Sequence, residues 1–404
     1  MSPGASLPQT QALAGVRVVE MGQLIAGPFV GKTLGEFGAE VIKIEPPING
    51  DPLRQWRIIE GGTSLWWQVQ SRNKQSLALD VRTAQGQEIA RRLIAECDVL
   101  IENFRPGTLE KWGLGWDVLQ AINPGLIMLR ISGYGQTGPY RDFPSFGAIG
   151  EAMGGLRHLT GQPGNIPVRC GISIGDTLAA LHGTIGVLMA LHHRKVNGGA
   201  GQVIDVALHE SVFNTMESML PEYSVRGVVR AAAGSALPGI APSNAYRCTD
   251  GVVLIAGNGD AIFTRLMSVI GRDDLGRRPD LACNQGRVKV ATELDQAIGE
   301  WTQRHTVAEV LAQMGTASVP AGRIYDIADI AQDPHYRARD MILKQHTRQG
   351  FEVEVPGIVP KLLSTPGAIR SPAPVLGEHT RDILQGLGFT DEQQAQLKAE
   401  GVIA

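Results

Sequence analysis

Short apolar runs alternate with amphipathic stretches along the first third of the chain. The run VRVVEM at 16–21 predicts a buried strand, and further strand-like runs follow at 40–44, 76–80, 98–101 and 126–131. The stretches between these runs carry the apolar spacing of helices. Because strands that alternate with helices connect through right-handed crossovers, the pattern predicts an α/β fold with a doubly wound parallel sheet.

The pattern changes after Pro144, where a glycine-rich passage precedes a long predicted helix from Thr177 to Lys195. A basic pair followed by Asn-Gly-Gly is typical of the end of such a helix. A strand at 203–208 and another helix come next. The glycine- and alanine-rich stretch at 225–242 then predicts a linker ahead of a smaller domain.

Composition narrows the functional class. The 404 residues include 37 Lys or Arg and 40 Asp or Glu, and the resulting net charge of −3 would attract neither nucleic acid nor an anionic membrane. A small molecule is therefore the expected partner. The four cysteines are far apart and lack metal-ligand spacing, which predicts reduced thiols, no metal and a cytoplasmic protein. Met1–Ala14 lacks the features of a secretory signal, and the apolar stretches are interrupted by Gly, His or Thr, so neither secretion nor a membrane span is expected.

The stretch 133–138 spells GxGxxG directly after a predicted strand, as dinucleotide-binding proteins do. In those proteins a helix N-terminus follows and faces the pyrophosphate, whereas prolines follow here at 139 and 144. The glycines after the first strand have a different spacing. The sequence therefore predicts a Rossmann-like fold without a dinucleotide cofactor.

Asp176 lies between a glycine turn and the long predicted helix, the position of an N-cap. The helix dipole and the free N–H groups there would keep its carboxylate ionised, which is the form that a carboxylate nucleophile needs. From the residues alone, a structural cap and a nucleophile both remain open. The motifs HExxH and GxxxxGK[ST] do not occur in the sequence, so zinc hydrolases and P-loop NTPases are poorly supported.

Seven motifs follow one another along the chain. They are LAGVRVVEMGQLIAGPFVGKTLGEFGAEVIKIEPPINGDPLR at the start, SRNKQSLALD (71–80), CDVLIENFRPGTLEKWGLGW (97–116), ISGYGQTGPY (131–140), GISIGD before the long helix, VPAGRIYDIADIAQDP (319–334) and PVLGEHTRDIL (374–384). In this order they resemble the class III CoA-transferases, the family of formyl-CoA transferase and carnitine CoA-transferase. The resemblance covers nearly the whole chain.

The resemblance implies a Rossmann-like large domain, a smaller α/β domain and a homodimer of two interlocked subunits. Its implied bounds are 13–224 for the N-terminal part of the large domain, 225–242 for the linker and a glycine-rich loop, 243–318 for the small domain and 319–404 for a segment that returns to the large domain. The implied activity is acyl-CoA:carboxylate CoA transfer. Coenzyme A and acyl-CoA are then substrates, a small carboxylic acid is the other substrate, and no cofactor is permanently bound.

The same resemblance assigns roles to individual residues. Asp176 matches the catalytic aspartate, which forms an aspartyl anhydride and then an aspartyl-CoA thioester. Coenzyme A contacts are implied for Gln23, Leu24, Ala26, Leu79, Asn103, Lys111, Trp112 and Tyr134. Gln23 stands where formyl-CoA transferases have histidine, and Lys111 and Trp112 stand where they have arginine and methionine. Trp112 fits packing in the core as well as stacking on adenine.

Substrate contacts are implied at a second group of positions. A glycine-rich loop covers the aspartate in this family, and its counterpart here is Gly234–Gly239, GSALPG, which departs from the family's run of consecutive glycines. Ile25 stands where oxalate-handling enzymes have glutamine, which argues against oxalate. Arg169, with Arg54 or Arg157, would bind the distal carboxylate of a short dicarboxylate such as succinate, although each of these arginines also fits an ordinary ion pair. Succinyl-CoA is then an expected donor.

Two alternatives remain open. The α-methylacyl-CoA racemases share the fold and the aspartate, but racemisation needs a second acid or base on the other side of the α-carbon. Phe146 stands where those enzymes have histidine, and an apolar ring cannot transfer a proton, so a transferase is favoured. The second alternative is a non-catalytic CoA-binding protein of the same fold.

Overall fold

The computed structural model describes residues 11–404, which form two compact units. The first unit holds the described residues up to Arg157, Arg169–Val229 and His335–Ala404, and the second unit holds His158–Val168 and Arg230–Pro334. The first ten residues, part of the start in which the sequence shows no secretory signal, lie outside the described residues.

The first eight strands of the chain all lie in the first unit. They are β1 (Arg17–Glu20), β2 (Glu40–Glu45), β3 (Ile59–Glu60), β4 (Thr63–Ser64), β5 (Lys74–Ala78), β6 (Val99–Glu102), β7 (Ile127–Ser132) and β8 (Gln202–Ala207). β3 and β4 form a short antiparallel pair. The other six form one parallel sheet in the order β5-β2-β1-β6-β7-β8, in which Val18 of β1 pairs with Val41 of β2 and Val99 of β6. This is the Rossmann strand order, and the predicted α/β fold with a parallel sheet is confirmed.

The first ten helices of the chain are α1 (Ala26–Glu36), α2 (Leu65–Gln70), α3 (Ala84–Ala95), α4 (Thr108–Lys111), α5 (Trp116–Ile122), α6 (Gly147–Met153), α7 (Leu156–Leu159), α8 (Ile174–Val196), α9 (Leu208–Phe213) and α10 (Met219–Arg226). Helices cover both faces of the sheet. Val99 and Ile101 of β6 belong to a buried cluster with α1 and α8, whereas Leu100 between them belongs to a cluster with α3 and α5. Both sets of side chains leave water, which explains why the strands read as continuous apolar runs.

Helix α8 is long and apolar. Among residues 11–404 it is the single helix that is long and apolar enough to cross a membrane, although the sequence analysis expected no such stretch. The small residues Ala179, Ala180 and Gly183 are nevertheless buried on one side of this helix, where Gly183 lies close to Leu129 of the sheet. Core helices of α/β domains commonly have this apolar character.

The second unit has its own sheet and core. β9 (Ser243–Arg247), β10 (Val252–Ala256) and β11 (Ala321–Arg323) form an antiparallel sheet in the order β11-β10-β9. Its helices are α11 (Asp260–Val269), α12 (Asp273–Gly276), α13 (Asn284–Lys289), α14 (Ala291–Thr302), α15 (Val307–Thr316) and α16 (Ile327–Gln332). The range 158–168, which the sequence analysis assigned to the large domain, lies in this unit because Gly234 N–H donates to the Gly161 carbonyl at 2.9 Å.

The C-terminal part of the chain belongs to the first unit from His335 onward and not from residue 319, as was expected, because residues 319–334 lie in the second unit, where Ala321–Arg323 form β11. It contains α17 (Pro334–Ala338), the antiparallel pair β12 (Ile342–His346) and β13 (Glu352–Pro356), α18 (Thr380–Gly386) and α19 (Asp391–Ala399). His379 N–H donates to the Ser76 carbonyl at 3.1 Å, and Asp80 N–H donates to the Val402 carbonyl at 2.8 Å. The chain end thus completes the first unit beside β5.

Candidate active site

Asp176 lies in the first turn of α8, as the third helical residue. The sequence predicted Asp176 at the N-cap, and the structure corrects this prediction. Ser173 occupies the N-cap, and the helix begins at Ile174 rather than Thr177. Thr177 stabilises the early start, because both its N–H and its hydroxyl donate to the Ser173 carbonyl. Asp176 is thereby part of the helix, and its carboxylate is not used as a cap.

The electrostatics of Asp176 also differ from the sequence expectation of a carboxylate held ionised by the helix. Burial raises the pKa of Asp176 to about 6, and the negative charge of Glu151 adds to this rise. Arg169 and the residue's own backbone N–H oppose it more weakly. A pKa near 6 still leaves about ten ionised carboxylates for every protonated one at pH 7. Asp176 is therefore a mostly ionised carboxylate with weak solvation, which suits a nucleophile.

Glycines of α6 and α8 bring the two helices together beside Asp176. A Cβ atom built on Gly147 would stand 2.0 Å from Oδ2 of Asp176, and one built on Gly175 would stand 2.8 Å from the Gly147 carbonyl oxygen. Glycine is the one residue that permits these approaches. Gly147 therefore fixes one side of the space that the carboxylate occupies. Sequence reasoning missed this contact, since nothing in the local pattern links residue 147 to residue 176.

Glu151 is a buried acid on α6 that the sequence analysis did not single out. Its side chain is 1% exposed, and its Oε1 has no hydrogen-bond partner among residues 11–404. Its Oε2 lies 3.7 Å from Nη2 of Arg157. The available signal for Glu151 in the sequence was a charged residue within a stretch of small and apolar residues, GAIGEAM. Glu151 raises the pKa of Asp176 because two carboxylates that are close together resist ionising together.

Asp176 lines a cavity of about 200 Å³ at the carboxyl ends of the central strands. Five residues that the sequence predicted as substrate or coenzyme A contacts also line this cavity: Gln23, Leu24, Ile25, Ala26 and Asn103. The first four follow β1, and Asn103 follows β6. These two strands are neighbours at the point where the strand order of the sheet reverses, which is where open α/β sheets bind ligands.

Specific hydrogen bonds hold the turn after β1 in place. Asn103 accepts from Gln23 N–H through Oδ1 at 2.7 Å and donates to the Gln23 carbonyl through Nδ2 at 2.9 Å. Leu24 has a left-handed φ of +62°, and its N–H donates to the Asp51 carboxylate at 3.1 Å. Burial alone would raise the pKa of Asp51, but Lys43 at 2.8 Å holds it below the usual value. A buried charged group thus stabilises the strained Leu24 backbone.

A second groove, of about 480 Å³, adjoins this cavity, because Gln23 and Phe104 line both. Leu79 and Trp112, two further predicted coenzyme A contacts, line the groove. Trp112 packs edge-on against Phe104, with ring centroids 5.2 Å apart, and also contacts the buried core. The tryptophan therefore serves in packing and at the same time presents a face to the groove.

Other predicted positions lie outside the two cavities. Lys111 ends α4 and is exposed, and it lines neither cavity. Tyr134 lines neither cavity but stacks edge-on against Phe143, a residue of the Asp176 cavity, at 6.3 Å between centroids. Gly234 and Gly239 lie in the second unit with left-handed φ values of +64° and +76°.

The arginines proposed from sequence for a distal carboxylate have other partners. Arg54 forms an ion pair with buried Glu45 at 2.7 Å and lies over the Trp67 ring, and Arg157 faces Glu151. Arg169 donates to the Ser173 hydroxyl at 3.4 Å and lines neither cavity. The cavity instead contains Arg105 and Arg141, which the sequence analysis did not name. The signal for Arg105 was its position two residues after Asn103.

Two classes of bound group receive no support from the site. The GxGxxG stretch at 133–138 does not lead directly into a helix as the dinucleotide-binding motif does, since α6 begins only at Gly147. Within residues 11–404, no group of three or more His, Cys, Asp or Glu side chains could hold a metal ion. Phe146, the residue before α6, lines the cavity beside Asp176 and places an apolar ring there.

Known proteins resemble this chain along nearly its whole length. A family model described as CoA-transferase family III matches residues 13–380. The succinyl-CoA–D-citramalate CoA-transferase of Chloroflexus aurantiacus is 49% identical over 391 residues, which cover 96% of this chain and 97% of that protein. The succinyl-CoA–L-malate CoA-transferase beta subunit of the same organism is 44% identical over 98% of both chains. A crystal structure of a CAIB/BAIF family protein from Brucella suis has a TM-score of 0.83 at 35% identity, over 94% of this chain and 100% of that chain.

Proposed function

The chain belongs to CoA-transferase family III, and from this premise we propose that it transfers coenzyme A from succinyl-CoA to a short hydroxylated dicarboxylate of the malate or citramalate type. Transfer of coenzyme A between an acyl-CoA and a carboxylate is the activity of the family. The two Chloroflexus relatives, named for D-citramalate and L-malate, support the choice of substrates. The observation that carries the proposal is the position of Asp176 in a cavity that adjoins a larger groove.

The two cavities suit the two ends of an acyl-CoA. In the proposed complex, the adenosine end occupies the larger groove, where Trp112 offers a ring for stacking and Arg82, which forms an exposed pair with Asp80, offers a cation for phosphate. The pantetheine arm passes Gln23 and Phe104, and the thioester reaches Asp176. Exposed Lys111 lies one residue before Trp112 and would add a second cation for phosphate.

The proposed reaction passes through covalent intermediates on Asp176. A carboxylate oxygen attacks the thioester carbonyl carbon, the C–S bond breaks, and the coenzyme A thiolate leaves with the electron pair. The thiolate then attacks the aspartyl carbonyl of the resulting anhydride, which releases succinate and leaves an aspartyl-CoA thioester. The acceptor carboxylate attacks this thioester to give a second anhydride and free thiolate. Attack of the thiolate on the acceptor's carbonyl gives the new acyl-CoA and restores Asp176.

No proton is gained or lost in these four steps. The route therefore needs an ionised aspartate but no general base, which agrees with the apolar ring of Phe146 in the cavity. Both intermediates hydrolyse if water reaches them. The proposal also includes the interlocked homodimer. The apolar side chains of Leu181, Ile185 and Met189 on α8 support it, because they are exposed in the single chain. Light scattering of the purified protein tests whether the protein is a dimer.

The substrate assignment is tested by incubating the purified protein with succinyl-CoA and a panel of free acids, with the coenzyme A products identified by mass spectrometry. We expect malyl-CoA or citramalyl-CoA to form together with an equal amount of succinate. Formate, oxalate and butyrate serve as control acceptors. Transfer to butyrate at a rate equal to that of the hydroxylated dicarboxylates would contradict the assignment.

The pH dependence of the reaction should follow the ionisation of Asp176. Because the ionised form is the nucleophile and its pKa is about 6, kcat/KM for succinyl-CoA should fall about tenfold per pH unit below pH 6 and level off above pH 7. Glu151→Gln removes a neighbouring negative charge and should shift the midpoint to lower pH. Arg169→Gln removes an opposing positive charge and should shift it to higher pH. Equal midpoints in all three proteins would show that another group controls the profile.

A further inference from the structure

Three charged side chains line the cavity that contains Asp176: Asp176 itself, Arg105 and Arg141. The remaining lining residues are apolar or neutral. Apart from the nucleophile, the charged side chains that line the cavity are thus both guanidinium groups, whereas buried Glu151, whose negative charge raises the pKa of Asp176, is not among the lining residues. Guanidinium groups bind carboxylates through paired hydrogen bonds, so the two arginines suit an acyl group that carries a carboxylate of its own.

Arg105 differs from most arginines of the first unit. Arg54, Arg72 and Arg130 each lie within 2.7 Å of a carboxylate oxygen. Within residues 11–404, by contrast, the guanidinium of Arg105 has neither a hydrogen bond nor an ion pair, and the side chain is exposed. Arg141 lies 3.4 Å from Asp142, but both side chains are largely exposed, so this pair is weak. Arg105 is therefore available to bind an anion.

The position of Arg105 follows from the strand that precedes it. β6 ends at Glu102, and Asn103 is fixed by its two hydrogen bonds to Gln23, so the chain enters the cavity rim at a defined place. Phe104 N–H donates to the Glu102 carboxylate at 2.7 Å, which fixes the next residue as well. Arg105 comes directly after these two anchored residues. Its side chain thus starts from a rigid part of the fold.

Succinyl-CoA carries a free carboxylate at the far end of its acyl group. Inside the cavity this charge would repel the ionised Asp176, since both are negative and weakly solvated. A guanidinium beside the distal carboxylate offsets the repulsion, and its planar fork orients the acyl group through two parallel hydrogen bonds. We propose that Arg105, assisted by Arg141, binds the distal carboxylate of the donor and acceptor dicarboxylates and so determines the specificity of the enzyme.

This inference rests on the proposed function, and it replaces Arg54 and Arg157 as candidates because both have carboxylate partners. The competing assignment is that Arg105 binds a phosphate of coenzyme A. The two assignments differ in the part of the substrate that the arginine binds. The distal carboxylate belongs to the acyl group, whereas the phosphates belong to the nucleotide. Substrates that lack one or the other separate them.

The test uses Arg105→Met and Arg105→Lys in the full-length protein, with Arg92→Gln as a control on the exposed face of α3, where Arg92 pairs with Glu88 and lies over the Phe389 ring, away from both cavities. Two constants are measured for each protein: kcat/KM for succinyl-CoA and the inhibition constant of butyryl-CoA, which has the same chain length but no distal carboxylate. We expect Arg105→Met to lower kcat/KM for succinyl-CoA about thirtyfold or more and to change the butyryl-CoA constant less than threefold. The kcat/KM of Arg105→Lys for succinyl-CoA should lie between those of Arg105→Met and the unmodified protein, because lysine keeps the positive charge but lacks the planar fork of donors.

Succinyl-pantetheine, which has no nucleotide, completes the test. If Arg105 binds the acyl carboxylate, the loss in Arg105→Met persists with this truncated donor, and added guanidinium ion restores part of the rate. Equal losses for succinyl-CoA and butyryl-CoA, or a loss that disappears with succinyl-pantetheine, would overturn the proposal in favour of phosphate binding. Failure of the proposed function is separate, since it would appear in the unmodified protein as a lack of transfer from succinyl-CoA to any dicarboxylate.

Discussion

Asp176→Asn is expected to lower the rate of CoA transfer at least about ten-thousandfold, because the neutral amide cannot attack a thioester and, among residues 11–404, no other carboxylate lines the cavity. The measurement is kcat with succinyl-CoA and malate or citramalate. Mass spectrometry of the unmodified protein incubated with succinyl-CoA should show a covalent aspartyl-CoA adduct at Asp176. Hydroxylamine should remove this adduct, and the variant should form none.

The same substitution should stabilise the fold, which separates loss of chemistry from loss of structure. The pKa of Asp176 is about 6 in the folded protein against an ordinary value of 3.8 in an unfolded chain, so ionisation costs folding free energy above pH 6 and costs none below pH 4. After the loss of the helix-dipole attraction is subtracted, Asp176→Asn should gain about 1 to 2 kcal/mol at pH 7.5.

Thermal unfolding at two pH values checks this gain in stability. The difference in Tm between Asp176→Asn and the unmodified protein should shrink as the pH is lowered from 7.5 to 5, because Asp176 then becomes protonated and resembles the amide. Retention of transfer activity by the variant would exclude Asp176 as the nucleophile. A lower Tm at pH 7.5 would contradict the raised pKa.

Gly147→Ala is expected to lower kcat about a hundredfold to a thousandfold while leaving the KM for succinyl-CoA within a few fold. The added methyl group would stand 2.0 Å from Oδ2 of Asp176, so the carboxylate must turn away from its position. A displacement of about 1 Å at a nucleophile costs roughly a hundredfold in rate. Coenzyme A binding should persist, because the larger groove does not include Gly147.

The control for this substitution is Gly386→Ala at the end of α18, where a Cβ atom would meet nothing within 4 Å. It adds the same methyl group to the same unit and should leave kcat and Tm nearly unchanged. Fluorescence or circular dichroism of Gly147→Ala should match the unmodified protein. If Gly147→Ala kept full activity, the carboxylate would not occupy the position that the structure gives it.

The predicted features that the structure confirms are those that depend on residues close together in the chain. The run at 16–21 became β1 and the run at 126–131 became β7, because an apolar stretch of that length between turns fits a buried parallel strand. The start of α8 was predicted three residues late, since Gly175 reads as a turn residue in the sequence although the helix includes it. Asp176 was still identified, because its motif is local.

The environment of that aspartate could not be predicted in the same way. Its raised pKa depends on Glu151, its position on Gly147 and the charge of its cavity on Arg105, and these residues lie on other elements of the first unit. The same holds for Arg54, whose partner Glu45 is known only once the two side chains are seen together. The sequence itself determined the α/β fold, the family and the position of Asp176, because local periodicity and contiguous motifs encode them. Only the tertiary structure decided how acidic Asp176 is, what surrounds it and which arginine is free, because desolvation and charge act through space between residues that are distant in sequence.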